Sequence, residues 1–245
     1  MNRTIVDFNH VSKKFFNKKS EMVVISDMSF HVDEGEIVAL VGPSGAGKTT
    51  ILNLISELLV PEIGEVKVDA SLGYMFQKDN LFDWLTIYKN IALGLSIKRK
   101  LTKDDQKEIE EMAKRYGLYD FLDYYPTQLS GGMRQKVALM RTLLLKPSLL
   151  LLDEPFSSLD YITRLDLEEE IFKIIKNLKI SAIIVTHDIS EAIVLSNRIY
   201  VLSARPCTVK KEYILNEDMA NARPNDARMN EHFQEYFKDI VETLR

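Results

Sequence analysis

The stretch GPSGAGKT, residues 42–49, constrains the fold of this chain more than any other feature of its sequence. It follows the continuously apolar segment EIVALV, typical of a strand buried on both faces, and precedes TILNLISELL, whose spacing predicts a helix. Glycines in such a loop let backbone N–H groups and the positive helix end approach a phosphate closely. The pattern therefore predicts a nucleoside triphosphate site, with Lys48 near the outer phosphates and the Thr49 hydroxyl near magnesium.

A pair of carboxylates follows a second apolar run. Residues 149–152 are four leucines, which predict a buried strand with Asp153 at its end and Glu154 beside it. Because adjacent carboxylates repel each other without a cation, we expect Asp153 to hold magnesium. We expect Glu154 to polarise the water that attacks the γ-phosphate. The alternative interpretation is a solvated acidic turn.

Two further polar residues close predicted strands. Gln77 ends LGYMFQ, where its amide could reach both a metal and a neighbouring surface. His187 ends SAIIVTH, where its imidazole could contact the γ-phosphate. Taken alone, each of them is more often an ordinary strand cap than a functional residue. In the company of the phosphate loop and the carboxylates, we expect both to be functional.

The order of apolar segments predicts an α/β fold. IVDFNHV, SDMSFHV and EIVALV predict three successive short strands, and EVKVDA, LGYMF, LLLLD, SAIIVTH, RIYVLS and TVKKEYIL predict six later ones. Residues 85–125 predict an inserted helical lobe, with the acidic run TKDDQKEIEEMAKRYG on a solvated face. Residues 216–230 predict turns, and FQEYFKDIVETL predicts a terminal amphipathic helix. Between two strands, a helical stripe is predicted from Leu167, Ile171, Ile174 and Leu178.

Composition narrows the function. The 245 residues suffice for one large domain or a domain with an inserted lobe. A net charge of −4 argues against nucleic acid binding, which needs clustered Lys and Arg, although the cluster KKFFNKK leaves single-stranded nucleic acid as an alternative. Cys207 is the only cysteine, so we expect no internal disulfide and a reducing compartment. The start MNRTIVDFNHV lacks the apolar region of a signal peptide, and we expect neither export nor a membrane span.

The phosphate loop, Gln77, LSGGM, LLLLDEP, SSLD and the Thr-His pair at 186–187, in this order and spacing, resemble the nucleotide-binding subunit of an ABC transporter over residues 4–205. The resemblance implies a RecA-like P-loop NTPase core with an N-terminal antiparallel β subdomain and an inserted α-helical subdomain. It implies a single ABC ATPase domain over residues 1–245. Its parts would be a nucleotide-binding core of residues 1–80 and 147–205, a helical lobe of residues 81–146 with the signature motif, and a C-terminal extension of residues 206–245.

The same resemblance assigns a role to LSGG. In that family two subunits pack head to tail, and this segment completes the site of the other subunit. Ser130, Gly131 and Gly132 would therefore bind the ATP held by a second copy, because a helix N-terminus with a serine and two glycines suits an anion. Asp160 in SSLD resembles the residue that crosses the dimer interface to organise the opposite site. The resemblance thus implies a two-fold ATP sandwich.

The resemblance also implies the residues that bind ATP in the chain's own site. Phe15 corresponds to the aromatic residue that stacks on adenine, with Phe16 as the alternative register. Met133 stands where the family usually has glutamine, which bears on a ribose or linker contact and not on the phosphates. The implied phosphate-binding set is Gly42, Pro43, Ser44, Gly45, Ala46, Gly47, Lys48, Thr49 and Thr50. The implied magnesium set is Thr49, Gln77 and Asp153, and the implied catalytic set is Glu154, His187, Lys48 and Gln77.

The segment KDNLFDWLTIYKNIALGL resembles the part of transporter ATPases that receives a helix from the membrane permease. Its apolar residues are numerous for an exposed surface, as a docking groove would be, and core packing is the alternative. They are Leu81, Phe82, Trp84, Leu85 and Ile87.

The form MFQxxxLxxWLT…N, with LSGGMRQ and the RP after the last sheet strand, is most similar to importer subunits for nitrate, aliphatic sulfonates and taurine, a subgroup that includes carriers of thiamine precursors. The resemblance implies the ATPase of a bacterial importer at the cytoplasmic face of the cell membrane. Its partners would be permease subunits and, indirectly, a solute-binding protein. The alternatives are an exporter or lipoprotein-release ATPase, and a soluble ABC ATPase acting on nucleic acid or ribosomes.

Overall fold

The structure, a computed structural model, describes residues 3–16 and 20–245. The first two residues of MNRTIVDFNHV and the last three of KKFFNKK lie outside this range. The strands of the described chain are β1 Thr4–Phe16, β2 Glu21–Asp33, β3 Ile37–Val41, β4 Ile63–Val68, β5 Leu72–Met75, β6 Leu149–Asp153, β7 Ser181–Thr186, β8 Arg198–Leu202 and β9 Val209–Ile214. The helices are α1 Lys48–Ile55, α2 Ile87–Lys98, α3 Lys103–Arg115, α4 Gly131–Leu143, α5 Tyr161–Leu178, α6 Ile189–Leu195, α7 Glu217–Asn221, α8 Pro224–Met229 and α9 Phe233–Leu244.

The larger sheet has the strand order β5-β6-β7-β3-β8-β9. Its first five strands run parallel, and β9 joins the edge antiparallel to β8. Every residue of β3, β6 and β7 is buried, as their uninterrupted apolar sequences predict for central strands covered on both faces. The carboxyl ends of parallel strands meet at one edge, so the polar residues after β3, β5, β6 and β7 converge there.

The smaller sheet confirms the antiparallel β subdomain, with the order β2-β1-β4. Its inner face packs with α1 on one side of the large sheet, where Phe8 and Phe30 stack with ring centroids 4.5 Å apart. The prediction that these strands are short was wrong for β1 and β2, which each span 13 residues. The pairing continues because register shifts bend the ribbon, which brings Phe15 opposite Met22 near the phosphate loop.

The inserted lobe has a core of its own, formed by α2, α3 and one face of α4. Thr102 begins α3 with a capping box, in which its hydroxyl and the Asp105 carboxylate exchange hydrogen bonds with each other's backbone N–H groups. Helix α4 joins this lobe to the large sheet, because Val137 and Met140 pack in the lobe while Leu139 packs against the sheet.

Three local predictions were wrong. The helix after the phosphate loop ends at Ile55 and does not continue to residue 59, because Glu57 adopts a left-handed conformation with φ of 59°. In α5, Leu167, Ile171 and Ile174 are buried, but Leu178 is 51% exposed at the helix end. Residues 216–230, predicted as turns, contain α7 and α8.

The C-terminal segment covers part of the main core. Ala227, Phe233 and Ile240 are buried in the cluster that packs against the large sheet, and α9 has the bounds that its amphipathic pattern predicts. Within the described residues, none of the helices combines the length and apolar character needed to cross a membrane.

Candidate functional site

The phosphate loop connects the end of β3 to the first turn of α1. Gly47 requires glycine, because its φ is 123° and an added Cβ would lie 2.8 Å from Val24 Cγ1. Gly42 packs tightly beneath β8, where an added Cβ would lie 3.0 Å from Leu202 Cβ. The Ala46 methyl is buried in the core between the two sheets. Gly42 and Ala46 therefore hold the loop in place and can offer a ligand only backbone groups.

Lys48 lies buried at the mouth of this loop. Its Nζ donates hydrogen bonds to Gly42 O at 2.8 Å and to Pro43 O at 3.1 Å, and lies 3.9 Å from Glu154 Oε1. Burial lowers the pKa of Lys48, while the nearby carboxylates of Glu154 and Asp153 act in the opposite direction. The loop thus holds a cation whose hydrogen bonds go to neutral carbonyls, with one carboxylate oxygen at 3.9 Å, and phosphate oxygens would bind it more strongly than the carbonyls do.

Thr49 and Asp153 meet across the edge of the large sheet. Thr49 Oγ1 donates to Asp153 Oδ2 over 2.8 Å. Burial raises the pKa of Asp153, and Glu154 acts in the same direction, whereas the Thr49 hydrogen bond and Lys48 oppose the rise. A hydroxyl beside a carboxylate is the oxygen donor set that Mg²⁺ uses beside a polyphosphate, so the residues present fit this ion.

Glu154 lies where Gln77 and His187 meet. Its backbone has a φ of 44°, and its N–H donates to Val185 O at 2.8 Å, which fixes the residue at the end of β6. Glu154 Oε2 accepts a hydrogen bond from Gln77 Nε2 at 3.2 Å, and His187 Nδ1 lies 3.2 Å from the same oxygen. The two residues predicted from strand ends therefore contact one carboxylate oxygen.

A cavity of about 300 Å³ opens beside these groups. Phe15 lines it, whereas Phe16 does not and is 72% exposed, so within the described chain Phe15 is the aromatic residue that faces the phosphate loop. The remaining lining residues are Met22, Val24, Gly45, Gly47, Lys48, Thr49, Thr50, Glu154 and Arg205. The cavity thus joins an aromatic end to a phosphate end.

The LSGG segment, residues 129–132, does not line this cavity. Ser130 caps α4 by accepting a hydrogen bond from Met133 N at 3.3 Å, and Asp160 caps α5 by accepting one from Thr163 N at 3.1 Å. Gly132 requires glycine for packing, because an added Cβ would lie 2.6 Å from Thr163 Cγ2. Gly131 is exposed, and an added Cβ would meet only Leu159 Cδ2 at 3.7 Å. The four predicted trans residues are thus gathered at the starts of α4 and α5.

Helix α4 also holds the segment that follows Gln77, a connection that was not predicted from the sequence. Arg134 Nε pairs with Asp79 Oδ2 at 3.1 Å, and Gln135 Nε2 donates to Gln77 O at 3.5 Å. Arg141 donates to Asp79 O at 2.7 Å and to the next carbonyl at 2.8 Å. Arg134 and Gln135, which follow LSGGM in the sequence, make two of these contacts, but their distant partners cannot be identified from sequence spacing.

The predicted docking segment divides into exposed and buried parts. Trp84 is 72% exposed, with its ring 4.9 Å from that of Phe82, and Leu81, Phe82 and Leu85 are half-buried. Including Ile87 in the exposed set was wrong, because this residue is fully buried in the lobe core at the start of α2. The exposed apolar surface of this segment is therefore centred on Trp84.

A glycine loop before α1, a carboxylate pair at the end of β6 and polar residues after β5 and β7 define a P-loop nucleotide-binding ATPase. The model of the family described as "ABC transporter" matches residues 25–157. The aliphatic sulfonates import ATP-binding protein SsuB of Bacillus cereus is 40% identical over 97% of this chain and 94% of its own length. The nitrate import ATP-binding protein NrtD of Synechocystis is 37% identical over the whole chain and 96% of its own length.

Among solved structures, a dimeric post-hydrolysis state of the ATP-binding cassette MJ0796 bound to ADP and Pi superposes with a TM-score of 0.77. It is 30% identical, and the match covers 86% of this chain and 99% of that one. The chain belongs to the ABC transporter family and is one of its ATP-binding cassettes, an ATPase.

Proposed function

We propose that this ATPase drives the import of a small solute through a membrane permease. The observation that carries the proposal is the position of Gln77, whose side chain contacts Glu154 while its backbone is held by α4 and continues toward Trp84. One segment thereby contacts the Glu154 carboxylate and helix α4 and leads to the exposed apolar surface around Trp84. The names of the relatives, import proteins for sulfonates and nitrate, support the direction of transport.

In this proposal one ATP occupies the cavity of each subunit. Phe15 stacks on the adenine, and the backbone of residues 44–50 with the Lys48 ammonium holds the phosphates. The proposed magnesium ligands are Thr49 and Asp153, with Gln77 beside them. Bound there, magnesium would neutralise negative charge on the phosphates. The buried carboxylate of Asp153 and the Thr49 hydroxyl support this assignment.

Glu154 is the proposed general base for the attacking water. Its carboxylate oxygen accepts a hydrogen bond from Gln77, which orients it, and its fixed backbone keeps it at the end of β6. His187 lies next to the same oxygen and would contact the γ-phosphate once ATP is bound. The position of the carboxylate suits the task, since a base must first be within reach of the water.

The proposed second half of each site comes from another copy of the chain. Ser130 and Gly131 are exposed at the N-terminus of α4, outside their own subunit's cavity, where backbone N–H groups suit the γ-phosphate of a facing subunit. Asp160 is exposed at the start of α5, and Gly132 lies buried beneath Gly131 in the first turn of α4. The dimeric structure described for MJ0796 supports a pair of subunits, and the exposed position of Ser130 and Gly131 outside their own cavity favours a head-to-tail arrangement.

The surface around Trp84 is the proposed permease contact. We infer a peripheral position on the cytoplasmic face of a bacterial cell membrane, with the solute delivered to the permease by a separate binding protein. The proposed cargo is a small organic or inorganic solute of the sulfonate, nitrate, taurine or thiamine-precursor kind. The ATPase contacts the permease and not the cargo.

The test is affinity purification of the tagged subunit from gently solubilised native membranes, followed by identification of the proteins that accompany it. The proposal predicts a permease with several membrane spans in the wild-type eluate. A Trp84→Ala variant should lose it, while an Ile97→Ala variant, altered at a similarly exposed apolar residue of α2, should retain it. Recovery of ribosomes or nucleic acid without a membrane protein would contradict the transport role and leave the ATPase chemistry intact.

A further inference from the structure

Arg205 lies in the loop between β8 and β9, which is fastened to the small sheet. Cys207 N donates to Val24 O at 2.8 Å, and Ser26 N donates to Cys207 O at 3.1 Å, so the loop continues the pairing of β2. Inside the loop, Ser203 Oγ accepts a hydrogen bond from Thr208 N at 2.9 Å. These bonds hold the backbone around Arg205 in a defined position.

The Arg205 side chain extends over the phosphate loop. Its Nε donates to Gly45 O, and its Nη2 lies 3.2 Å from the point where a Cβ on Gly45 would stand. Its Nη1 lies 3.1 Å from Met22 Sδ. None of the ion pairs among the described residues includes Arg205, whereas Arg198, at the start of β8, pairs with Glu36 at 2.7 Å. Among the described residues, the guanidinium therefore contacts a carbonyl and a thioether and no carboxylate.

The guanidinium lies between the aromatic end and the phosphate end of the cavity. Met22 is the register partner of Phe15, which forms the aromatic end, and Gly45 belongs to the phosphate end. In an ATP with its adenine on Phe15 and its phosphates on the loop, the part between the two ends is the ribose, followed by the α- and β-phosphates. A guanidinium presents a planar fork of donors that matches phosphate oxygens, and charge-assisted bonds to them are stronger than its bond to a carbonyl.

We propose that Arg205 is a further nucleotide-binding residue of the chain's own site, where its guanidinium exchanges Gly45 O for oxygens of the α- and β-phosphates. This inference rests on the proposed ATP site and adds to it a contact from the end of the large sheet. Arg205 is exposed, so its side chain can turn to the phosphates while the anchored loop stays in place.

The experiment compares Arg205→Ala and Arg205→Lys with the unaltered chain by calorimetric titration of ATP, ADP and adenosine. The expected result for Arg205→Ala is about tenfold weaker binding of ATP and ADP, equivalent to about 1.4 kcal/mol. The Lys variant should lose less, because it keeps the charge but not the fork. Adenosine affinity should be unchanged. Arg115→Ala, at the exposed end of α3, serves as the matched control and should bind all three ligands normally.

Three results would overturn the inference: unchanged ATP and ADP affinities in Arg205→Ala, an equal loss for adenosine, or a loss seen only when light scattering shows a dimer. The equal loss would mean that Arg205 shapes the adenine pocket or the loop. If thermal unfolding shows that Arg205→Ala does not fold, the ratio of ADP affinity to adenosine affinity in Arg205→Lys is the test. A ratio lower than that of the unaltered chain supports the inference, and an unchanged ratio overturns it. Failure of the unaltered chain to bind ATP would instead contradict the proposed ATP site.

Discussion

The Thr49 hydroxyl donates a hydrogen bond of 2.8 Å to Asp153 Oδ2, across 104 positions of sequence. The contact forms because β3 and β6 both run parallel to β7, which lies between them, so their carboxyl ends reach the same edge of the sheet. A hydroxyl and a buried carboxylate are thereby set side by side next to Lys48 and Glu154. The loop sequence and the four-leucine strand thus contribute to one site.

Asp153→Asn should uncouple nucleotide binding from magnesium. The amide keeps the hydrogen bond with Thr49 but removes the charge that attracts the ion, while Lys48 and the loop backbone are untouched. We expect ATP affinity without magnesium to be equal or better, because a buried negative charge beside the phosphates is lost. We expect the gain in affinity on adding magnesium to fall at least about tenfold.

The measurement is ATP titration over a magnesium series, with Asp218→Asn on the exposed first turn of α7 as the control. A magnesium response in Asp153→Asn equal to that of the control would show that this carboxylate does not serve the ion.

Ser130→Arg should abolish the ATP-dependent dimer and leave ATP binding by the isolated subunit intact. Arginine at this exposed cap obstructs the approach of a second subunit and removes the hydroxyl proposed to bind its phosphate. Loss of the cap alone costs about 1 kcal/mol of helix stability. Thr102→Arg removes the cap of α3 in the same way, away from the proposed interface, and is the matched control.

Size-exclusion chromatography with light scattering, with and without ATP, reports the outcome. Gly132→Ala would not be informative, because its methyl would collide with Thr163 in the same subunit. An ATP-dependent dimer of Ser130→Arg as stable as that of Thr102→Arg would refute the trans role.

Much of this site could be predicted because its sequence signals are local. Glycine spacing, a leucine run that ends in two carboxylates, and polar residues at strand ends each identify an element and its last residue. The choice between Phe15 and Phe16 remained open. Period-two alternation puts the two side chains on opposite faces of the strand, but it does not say which face lies toward the loop. Only the tertiary packing of β1 and β2 near α1 distinguishes them.

The misplaced residues share a physical cause. The helical period places Leu178 on the apolar stripe of α5 and Ile87 in an apolar segment, but burial depends on what lies opposite each side chain. Leu178 stands in the last turn, where Lys179 ends the helix with a left-handed φ of 52°, and Ile87 packs into the lobe. The contact of Arg205 with Gly45 spans 160 positions, and no sequence period reports it.

Glu191→Gln should flatten the pH dependence of stability near neutrality. Burial raises the pKa of Glu191 to about 7, with Asp188 acting in the same direction and the Thr186 hydrogen bond opposing it. The folded chain therefore holds a proton that the unfolded chain releases near its ordinary pKa of 4.5. Stability from this group is full below about pH 4.5 and is lost as the pH rises through about 7, a total of about 3 kcal/mol.

Urea unfolding at pH 5 to 8 measures this effect. The quantity compared is the difference in free energy of unfolding between Glu191→Gln and the unaltered chain, because other buried carboxylates contribute equally to both. The difference should favour the unaltered chain more at pH 5 than at pH 8. Glu217→Gln, on the exposed first turn of α7, should follow the unaltered chain throughout. A Glu191→Gln curve parallel to that of the unaltered chain would contradict the prediction.

The role of Glu154 is tested by steady-state ATP hydrolysis by Glu154→Gln, measured beside ATP binding and dimerisation of the same protein. The amide preserves the size of the side chain and a hydrogen bond with Gln77 but cannot accept the proton of the attacking water. We expect normal ATP binding, an ATP-bound dimer that accumulates, and turnover reduced by at least about a hundredfold. Turnover near that of the unaltered protein would contradict the assignment of Glu154 as the general base.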